Sequence, residues 1–590
     1  MENSITFLRL FDILEYHKIF DKKNAFGAKV NGAWKELSSK DYIELSAQMS
    51  FGLMALGVKP GDKIASISNN RPEWNILDMA TMQMGAIHVP IYPNITEDEY
   101  QYILNHSESK YVFISSDVIY YKIKKIVDES DIIKDVYTFE KLNGYDKLWT
   151  EVLELGKQNP AEEILKEYRD AVKTDDLATL IYTSGTTGLP KGVMLTHANI
   201  ISNVLAARPI FPVDVTSKTL SYLPLCHVYE RMVNYTFQYI GCGIYYVENM
   251  GTIVDNIQEI KPDAFTTVPR LLEKVYERIM FKGRALSGLK KSIFFWAVNL
   301  GFKYKEEGNS AWYNFKLKIA DKLIFSKWRV AFGNNVKFIV SGGAALQERL
   351  ARIFWAASVP VLEGYGLTET SPVIAVNTFD KGGKKFGTVG PKLPNVEVKI
   401  AEDGEILTKG PHIMKGYYKA PELTEEVIDK DGWFHTGDIG VLDEGKFVKI
   451  TGRKKSMFKT SMGKYIIPEV IENKIRESKF IEQCMIVGEN QKYVAVIISP
   501  DQAVLKTWCN TEGHGYGNTN LVIKNPEVRK KFQEELDYYN TLFSQYEKII
   551  KFDLVPDEWT VETGELTPTL KVKRNVIENK YKDRIEKLFK

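Results

Sequence analysis

Residues 182–192 read Tyr-Thr-Ser-Gly-Thr-Thr-Gly-Leu-Pro-Lys-Gly and continue an apolar run that begins at Leu177. The stretch holds three glycines, four Ser or Thr hydroxyls and one lysine. Glycines let backbone N–H groups approach oxyanions closely, hydroxyls donate further hydrogen bonds, and lysine offsets negative charge. The pattern favours a phosphate-binding loop after a strand, with a flexible surface turn as the plainer alternative.

This loop differs from the phosphate loop of P-loop nucleotidases. That motif, G-x-x-x-x-G-K-[ST], is absent, because no Gly-Lys pair in the sequence is followed by Ser or Thr. The P-loop mechanism is therefore disfavoured.

Outward from the loop, helical and strand-like patterns alternate. Apolar residues at three- and four-residue steps predict a helix over 40–56, which Ser38 or Ser39 could cap. Further segments are predicted as strands at 63–68, 177–182, 336–340 and 359–362 and as a helix at 346–357. This order predicts an α/β fold with a largely parallel sheet, in which ligands bind beyond the carboxyl ends of the strands.

The chain is long enough for two or three domains, since 590 residues is about four times a ~150-residue domain. From residue 385 short β-like runs between Gly and Pro turns predict a β subdomain at 385–452. We place a boundary after it, giving a large N-terminal domain at 1–452 and a small α+β C-terminal domain at 453–590.

Composition excludes several classes of protein. Hydrophobic residues make 44% and charged residues 26%, which excludes disorder, collagen and coiled coil as overall descriptions. The net charge of +2 provides no global field for nucleic acid, so we expect no nucleic-acid partner. Four cysteines without a C-x-x-C pair argue against zinc-knuckle or thioredoxin-like motifs and suit a reducing compartment.

Membrane spanning is not expected. The N-terminus lacks a secretory pattern, and the longest plausible apolar stretch, 232–247, is shorter than the ~20 residues needed to span. We expect a cytoplasmic protein that is at most peripheral to a membrane.

One segment, 282–329, is both basic and aromatic. It carries eleven Lys or Arg residues against three acids, with ten Phe, Tyr or Trp residues interleaved. One interpretation is a basic amphipathic helix pair facing anionic lipid. The favoured interpretation is a helical insert whose aromatic residues belong to the core and whose lysines are solvated.

Four further motifs carry chemistry. Glu-Gly-Tyr-Gly-Leu-Thr-Glu-Thr at 363–370 follows the strand predicted at 359–362; its aromatic can stack on a base and its carboxylate can hold Mg²⁺. Phe-His-Thr-Gly-Asp at 434–438 offers an Asp for ribose hydroxyls. The others are Gly-Arg-Lys-Lys-Ser at 452–456 and Thr-Pro-Thr-Leu-Lys-Val-Lys-Arg at 567–574.

Together these motifs resemble the adenylate-forming superfamily, which includes acyl-CoA synthetases, firefly luciferase and peptide-synthetase adenylation domains. The resemblance covers nearly the whole chain in the expected order. Within the superfamily the chain looks most like long-chain fatty acyl-CoA synthetases, because residues 221–231 match L-P-L-x-H-x-x-E-R and residues 268–276 match V-P-R-x-x-E-K-x-Y. Most members have a glycine before the catalytic lysine, whereas Leu570 stands there; Lys571 is assigned by subfamily likeness, with Lys573 as the alternative.

The resemblance implies ligation of a long-chain fatty acid to coenzyme A through an acyl-adenylate, with release of AMP and pyrophosphate. It implies Lys571, Thr183 and Glu369 as catalytic residues, with Thr183 and Glu369 holding Mg²⁺. The implied ATP-binding residues are Thr183, Ser184, Gly185, Thr186, Thr187, Gly188, Lys191, Gly342, Gly343, Ala344, Glu363, Gly364, Tyr365, Gly366, Leu367, Thr368, Asp438, Arg453 and Lys571.

The second half-reaction is implied to use a different domain orientation. The small domain of the family rotates, and Lys455 matches the hinge position. His227 and Gly463 are implied at the acyl and CoA sites; a packed core histidine is the equal alternative for His227. Two other functions stay open: an acyl-AMP ligase that loads a carrier protein, and a non-catalytic nucleotide- or lipid-binding scaffold.

Overall fold

Strands and helices alternate along most of the chain. The computed structural model describes residues 6–183, 189–561, 563–567 and 571–590. The strands are β1 (Phe26–Val30), β2 (Ala33–Leu37), β3 (Lys63–Ile67), β4 (Ile87–Ile91), β5 (Ser109–Ile114), β6 (Asp135–Thr138), β7 (Leu177–Thr183), β8 (Lys191–Thr196), β9 (Lys218–Ser221), β10 (Gly243–Tyr246), β11 (Ala264–Thr267), β12 (Phe338–Ser341), β13 (Val361–Gly366), β14 (Val373–Val376), β15 (Glu397–Ile400), β16 (Glu405–Lys409), β17 (Gly416–Tyr417), β18 (Phe434–Asp443), β19 (Phe447–Arg453), β20 (Phe458–Lys459), β21 (Tyr465–Ile466), β22 (Ile481–Val487), β23 (Val494–Pro500) and β24 (Ile549–Leu554).

Helices pack on these strands and connect them. They are α1 (Ile13–Phe20), α2 (Ser39–Ala55), α3 (Pro72–Gln83), α4 (Glu97–Ser107), α5 (Asp117–Asp128), α6 (Trp149–Gln158), α7 (Glu162–Ala171), α8 (His197–Ala207), α9 (Val228–Ile240), α10 (Ile253–Ile260), α11 (Pro269–Arg284), α12 (Gly288–Gly301), α13 (Ala311–Ala320), α14 (Ser326–Val330), α15 (Glu348–Ala356), α16 (Pro421–Glu425), α17 (Pro468–Ile475), α18 (Gln502–Thr511), α19 (Thr519–Val522), α20 (Pro526–Asn540), α21 (Arg574–Lys580) and α22 (Lys582–Phe589).

Two large sheets form the N-terminal part. Their strand orders are β14-β13-β12-β11-β9-β10-β1-β2 and β17-β8-β7-β4-β3-β5-β6, with parallel central strands and antiparallel pairs at the edges. The expected α/β fold is confirmed. Parallel central strands are covered by helices on both faces, which explains their nearly continuous apolar runs.

The predicted helix over 40–56 is α2, and its start shows why the sequence signal was strong. Ser38 and Asp41 form a reciprocal capping box, with Asp41 N donating to Ser38 Oγ and Ser38 N to Asp41 Oδ2, both at 3.1 Å. The helix ends before Gly57, whose φ is +85°.

The strand predicted at 359–362 is displaced along the chain. It is β13, Val361–Gly366, so Glu363–Gly366 forms the end of the strand instead of following it. The reason is a new edge partner, because Gly364, Tyr365 and Gly366 pair antiparallel with β14.

Antiparallel strands β15, β16, β18 and β19 occupy the window predicted for the β subdomain, with β19 ending one residue beyond it at Arg453. After β19 the chain passes through a turn at Lys454–Ser456 into separate sheets, β20-β21 and β22-β23-β24, with their own apolar cores. The domain limits assigned from the sequence stay a prediction.

The segment 282–329 is helical, as expected, but its aromatic residues divide. Phe294, Phe325 and Trp328 are buried, whereas Trp312 and Phe315 are exposed. Assigning all these aromatic residues to the core was therefore wrong for the outward face of α13.

The four cysteines, Cys226, Cys242, Cys484 and Cys509, are free and buried, as expected for small apolar residues. No helix in the described ranges has both the length and the apolar character that crossing a bilayer requires.

Candidate active site

The glycine-rich loop connects two antiparallel strands. Pairing of β7 with β8 ends at Thr183 opposite Lys191, which places these residues on either side of the loop. The predicted residues Ser184, Gly185, Thr186, Thr187 and Gly188 lie outside the described residues.

A tyrosine joins this loop to the acidic motif. Lys191 Nζ lies 4.8 Å from the ring centroid of Tyr417, and the Tyr417 hydroxyl donates to Glu369 Oε1 at 2.9 Å. The Met414 N–H also donates to the Glu369 carbonyl at 2.9 Å. The sequence motifs did not include Tyr417, whose position follows from the antiparallel pairing of β17 with β8.

Two parallel strands bring the other glycine motifs side by side. Ser341 of β12 pairs with Glu363 of β13, so the residues 342–344 that follow β12 lie beside Gly364–Gly366 at the end of β13. A Cβ added at Gly366 would lie 1.6 Å from the Pro372 carbonyl oxygen, so only glycine fits there. The motif at this position is therefore dictated by packing as well as by any ligand.

Gly342 lies against the ring of Tyr229, where an added Cβ would come within 3.1 Å. The Tyr229 hydroxyl donates to the Val340 carbonyl at 2.9 Å. Tyr229 is a second neighbour of the site that the predicted residue set omitted, although it lies within the motif at 221–231.

Burial raises the pKa of Glu363 at the adjacent strand end to about 8, so this carboxyl is largely protonated near neutral pH.

The two motifs assigned to ribose meet in one hairpin. Asp438 of β18 pairs with Arg453 of β19, and Arg453 Nε lies 3.0 Å from Asp438 Oδ1. The Tyr365 hydroxyl donates to Asp438 Oδ2 at 2.7 Å. Burial, followed by the Asp438 charge, raises the pKa of Tyr365, so the phenol stays protonated and remains a donor. Tyr365, Asp438 and Arg453 thus form a connected polar surface.

The C-terminal part directs Lys571 towards this surface. Its side chain keeps solvent access, yet the protein crowding around it lowers the pKa of Lys571 to about 8, and the Arg453 guanidinium acts in the same direction. The charges of Asp438, Glu369 and Glu469 oppose this shift. Glu469, from α17, is another neighbour that the sequence motifs did not include.

Lys573, the alternative to Lys571, points elsewhere. Its Nζ lies 3.9 Å from Glu99 Oε1 on α4. Of these two lysines, Lys571 is the one whose pKa responds to the charges of Arg453, Asp438 and Glu369.

His227 lies within reach of the same lysine. Its Nδ1 accepts from the Tyr229 N–H at 3.1 Å and caps α9. Burial, with a smaller effect of Lys571, lowers the pKa of His227 to about 4, so the imidazole is neutral at physiological pH. The hydrogen-bonded interpretation of this histidine is observed, because it caps a helix, whereas its place in an acyl site stays a prediction.

The hinge and CoA candidates follow Arg453 along the chain. Lys455 is exposed in the turn after β19, while Lys454 forms ion pairs with Asp403 at 2.6 Å and Glu405 at 2.8 Å. Gly463, with φ +79°, lies in an exposed turn between β20 and β21. Among the contacts of the described residues, this turn touches only its own part of the chain.

The two large sheets and the separate C-terminal part form the fold of adenylate-forming enzymes. Models of two families match the chain: the AMP-binding enzyme family over residues 20–418 and the AMP-binding enzyme C-terminal domain over residues 456–590. The chain belongs to the AMP-binding enzyme family.

Curated relatives match along most of their length. The long-chain-fatty-acid--CoA ligase FadD15 of Mycobacterium bovis is 32% identical, covering 95% of this chain and 93% of the relative. Long chain acyl-CoA synthetase 6, peroxisomal, of Arabidopsis thaliana is 34% identical, covering 91% and 79%. Long-chain-fatty-acid--CoA ligase 1 of Cavia porcellus is 29% identical, covering 95% and 83%.

Solved structures share the fold. The adenylation domain of a carboxylate reductase from Mycobacterium chelonae aligns with a TM-score of 0.76 at 20% identity, covering 99% of this chain and 91% of that one. ATP-bound MatB from Rhodopseudomonas palustris aligns with a TM-score of 0.70 at 23% identity, covering 98% and 100%.

Proposed function

We propose that this protein ligates a long-chain fatty acid to coenzyme A at the expense of ATP, through an acyl-adenylate. The convergence of Lys571 and Arg453 on the surface formed by Tyr365 and Asp438, beside Glu369, carries the proposal. The names of the relatives support the substrate class.

The chemistry explains why two cations are needed. A carboxylate oxygen of the fatty acid attacks the α-phosphorus of ATP, and the bond to the bridging oxygen breaks to release pyrophosphate. Two anions must approach each other, so fixed positive charge aimed at the reacting oxygens stabilises the transition state. Lys571 is proposed to bind the carboxylate and α-phosphate oxygens, with Arg453 beside it.

Nucleotide contacts follow from the strand ends. Asp438 and Arg453 are proposed to bind ribose, and the loop that starts at Thr183 to bind the phosphates with Lys191. Residues at the ends of β12 and β13 are proposed to frame the adenine: Gly342, Gly343, Ala344, Glu363, Gly364, Tyr365, Gly366, Leu367 and Thr368.

Mg²⁺ fits two of the residues present. Thr183 offers a hydroxyl and Glu369 a carboxylate, both hard oxygen donors, and Mg²⁺ takes its other ligands from phosphate and water. Tyr417 donates to one Glu369 oxygen and leaves the other for the ion. No cluster of three or more His, Cys, Asp or Glu side chains that could hold a metal occurs among the described residues. Bound there, Mg²⁺ would neutralise phosphate charge.

In the second step the thiol sulfur of coenzyme A attacks the acyl carbon, the mixed anhydride breaks, and AMP leaves with its electron pair. Lys571 must withdraw to open a route for the thiol. Rotation at Lys455 is proposed to withdraw it and to bring Gly463 to the CoA side, with His227 lining the acyl site.

Product analysis tests the proposal. Purified protein receives Mg²⁺, ATP, CoA and an equimolar series of straight-chain acids from acetate to oleate, and mass spectrometry reports the thioesters. Long-chain thioesters with AMP support the proposal. Short-chain thioesters overturn the substrate class, acyl-adenylate without thioester indicates a carrier-protein acceptor, and no turnover indicates a scaffold.

The assigned lysine has a matched control. Lys571→Ala is expected to slow adenylation by about 10²–10³-fold, the cost of removing one preorganised electrostatic group. It should retain most of its ability to convert added acyl-adenylate to thioester. Lys573→Ala removes a cation that lies 3.9 Å from Glu99 and outside the surface formed by Tyr365, Asp438 and Arg453, so it should slow adenylation much less than Lys571→Ala. Equal effects of the two variants would refute the assignment of Lys571.

We further propose that this protein is cytoplasmic and binds the surface of an anionic membrane through helix α13. Helix α13 has apolar residues on two faces: Tyr313, Leu317 and Ala320 turn inward, whereas Trp312 and Phe315 are 64% and 54% exposed. Ile319 and Leu323 continue the exposed face at helical spacing.

Charge favours anionic lipid over a second copy of the chain. Lys316, Lys318 and Lys322 flank this face, and Lys316 Nζ lies 4.9 Å from the Trp312 ring centroid. The nearby Asp321 is paired with Arg329. A symmetric dimer through this face would place lysines against lysines, whereas anionic headgroups complement an apolar stripe bordered by cations.

Flotation with phosphatidylcholine vesicles, with and without phosphatidylserine, tests this surface. We expect binding that needs phosphatidylserine, weakens with salt, and is lost in Trp312→Ser/Phe315→Ser. Tyr538→Ser, which removes an exposed aromatic from α20, is the control. Binding that ignores the double substitution would refute the proposed surface.

A further inference from the structure

The motif at 268–276 begins helix α11, and the site described above does not use it. Its arginine, Arg270, reaches across to the C-terminal part and donates through Nη2 to Glu482 Oε2 at the start of β22. On its own helix, Arg270 Nη1 lies 3.6 Å from Glu273 Oε2. Both partners of the cross-domain pair are mostly shielded, with side chains 29% and 23% exposed.

The surroundings of Arg270 are acidic on both sides. Glu273 and Glu277 come from α11, and Glu482 and Asp501 from the C-terminal part. Partial burial, with the charges of Glu273, Asp501 and Glu482, raises the pKa of Glu277, whereas Arg270 lowers it. Without the guanidinium, carboxylates of the two parts would face one another across the contact and repel.

We propose that Arg270 is a positioning residue that holds the small domain in the orientation that directs Lys571 into the candidate active site. It acts through Glu482 and touches neither ATP nor acid. This inference rests on the proposed two-step function, because it concerns the adenylation orientation alone. Two longer ion pairs also join the two parts: Arg349 and Glu477 lie 3.7 Å apart, and Lys573 and Glu99 lie 3.9 Å apart.

The inference predicts unequal effects on the half-reactions. Arg270→Gln removes the attraction and leaves the repulsion, so adenylation should slow by roughly tenfold or more. Thioester formation from added acyl-adenylate should change little, since that step requires the small domain to leave this orientation. Arg278→Gln on the same helix, at an exposed position, is the matched control.

Charge exchange tests the pairing itself. Arg270→Glu should slow adenylation more than Arg270→Gln because it adds repulsion. Adding Glu482→Arg to Arg270→Glu returns the original number of charges and should restore a large part of the rate. Absence of restoration would overturn the pairing.

A distance measurement separates positioning from a general folding defect. The native cysteines are buried, so spin labels can be attached at Val118→Cys and Leu521→Cys, which replace residues 62% and 68% exposed on the two parts. With ATP and fatty acid bound, Arg270→Gln should broaden the distance distribution, and Arg278→Gln should not. Unchanged distances, or equal slowing of both half-reactions, would overturn the inference. A parent enzyme that forms no acyl-adenylate would instead overturn the proposed function.

Discussion

Two arginine–aspartate pairs in this molecule have the same chemistry and opposite settings. Arg231 pairs with Asp78 between the large sheets, where their side chains are 1% and 0% exposed. Arg453 pairs with Asp438 beside the candidate site, where the aspartate side chain is also buried, at 5% exposed, but the arginine side chain is 42% exposed. The two pairs differ in how far the arginine is buried and in how many of its N–H groups already have protein partners. These two properties distinguish a structural pair from one that can bind a ligand.

The buried pair has its hydrogen-bonding groups occupied. Arg231 Nε donates to the Tyr235 hydroxyl at 2.8 Å and Nη1 to Thr179 Oγ1 at 2.7 Å. His88 Nδ1 lies 2.7 Å from Asp78 Oδ1, and its Nε2 lies 2.8 Å from Ser66 Oγ. Serine, histidine and aspartate thus stand in the order of a nucleophilic triad, but their enclosure excludes a substrate.

The exposed pair is incomplete by comparison. One Asp438 oxygen contacts Arg453 Nε, and the other accepts from the Tyr365 hydroxyl. Among the contacts between described residues, the terminal nitrogens of Arg453 have no hydrogen-bonded partner. A hydrogen-bond donor without a protein partner beside a cleft is therefore a better sign of a binding residue than the ion pair itself.

Breaking the buried pair should have the largest effect on stability. Arg231→Met leaves the Asp78 charge without its main partner, and such losses cost about 3–5 kcal/mol of unfolding free energy. Denaturant unfolding followed by circular dichroism measures the change. A loss below about 1 kcal/mol would mean that water or a rearranged side chain stabilises the Asp78 carboxylate in place of Arg231. The pair would then contribute little to the stability of the fold.

Breaking the exposed pair should affect activity more than stability. Arg453→Met is expected to lower kcat/KM for adenylation by about 10²–10³-fold, since it removes one preorganised cation. The free energy of unfolding should fall by less than in Arg231→Met, because water reaches the Arg453 side of the pair and the Tyr365 hydroxyl still donates to the buried Asp438. The reverse result, a strongly destabilised protein with normal adenylation per folded molecule, would mean that Arg453 has a structural role like that of Arg231.

The smallest expected effect is a change with pH. The pKa of Lys571 is lowered to about 8, and the protonated form is the one needed, so kcat/KM for adenylation should be constant below pH 8 and fall as pH rises above it. The decline approaches tenfold per pH unit. His227, with a pKa of about 4, stays neutral throughout this range.

Lys571→Arg provides the control for this profile, because arginine keeps its charge across the range. Its activity, even if reduced, should lack the decline above pH 8. A decline that persists in this variant would assign the titration to another group.

The sequence predicted much of the fold because local signals agreed with tertiary packing. The cap at Ser38, the apolar spacing of α2 and the run at Leu177 each indicated the element that forms. The α/β fold and the family are confirmed, whereas the roles of Thr183, Glu369 and Lys571 stay predictions. The motifs at 342–344 and 363–366 lie side by side because adjacent parallel strands end at the same edge of a sheet.

What the sequence could not predict depends on contacts distant along the chain. Tyr417 meets Glu369 only because β17 pairs with β8, and Glu469 meets Arg453 only because the C-terminal part docks there. The extension of β13 through Gly366 depends on β14 as a partner. The exposed aromatic face of α13 fits the less favoured of the two interpretations of 282–329, since composition does not tell which side of a helix is covered.

The burial of the four cysteines bears on a protein proposed to handle a free thiol. Burial raises the pKa of the thiols of Cys226, Cys242, Cys484 and Cys509. Thiol–disulfide exchange requires an accessible thiolate. A buried, protonated cysteine does not attack a disulfide of coenzyme A. The folded chain should therefore resist forming mixed disulfides with coenzyme A when the surrounding thiols are oxidised.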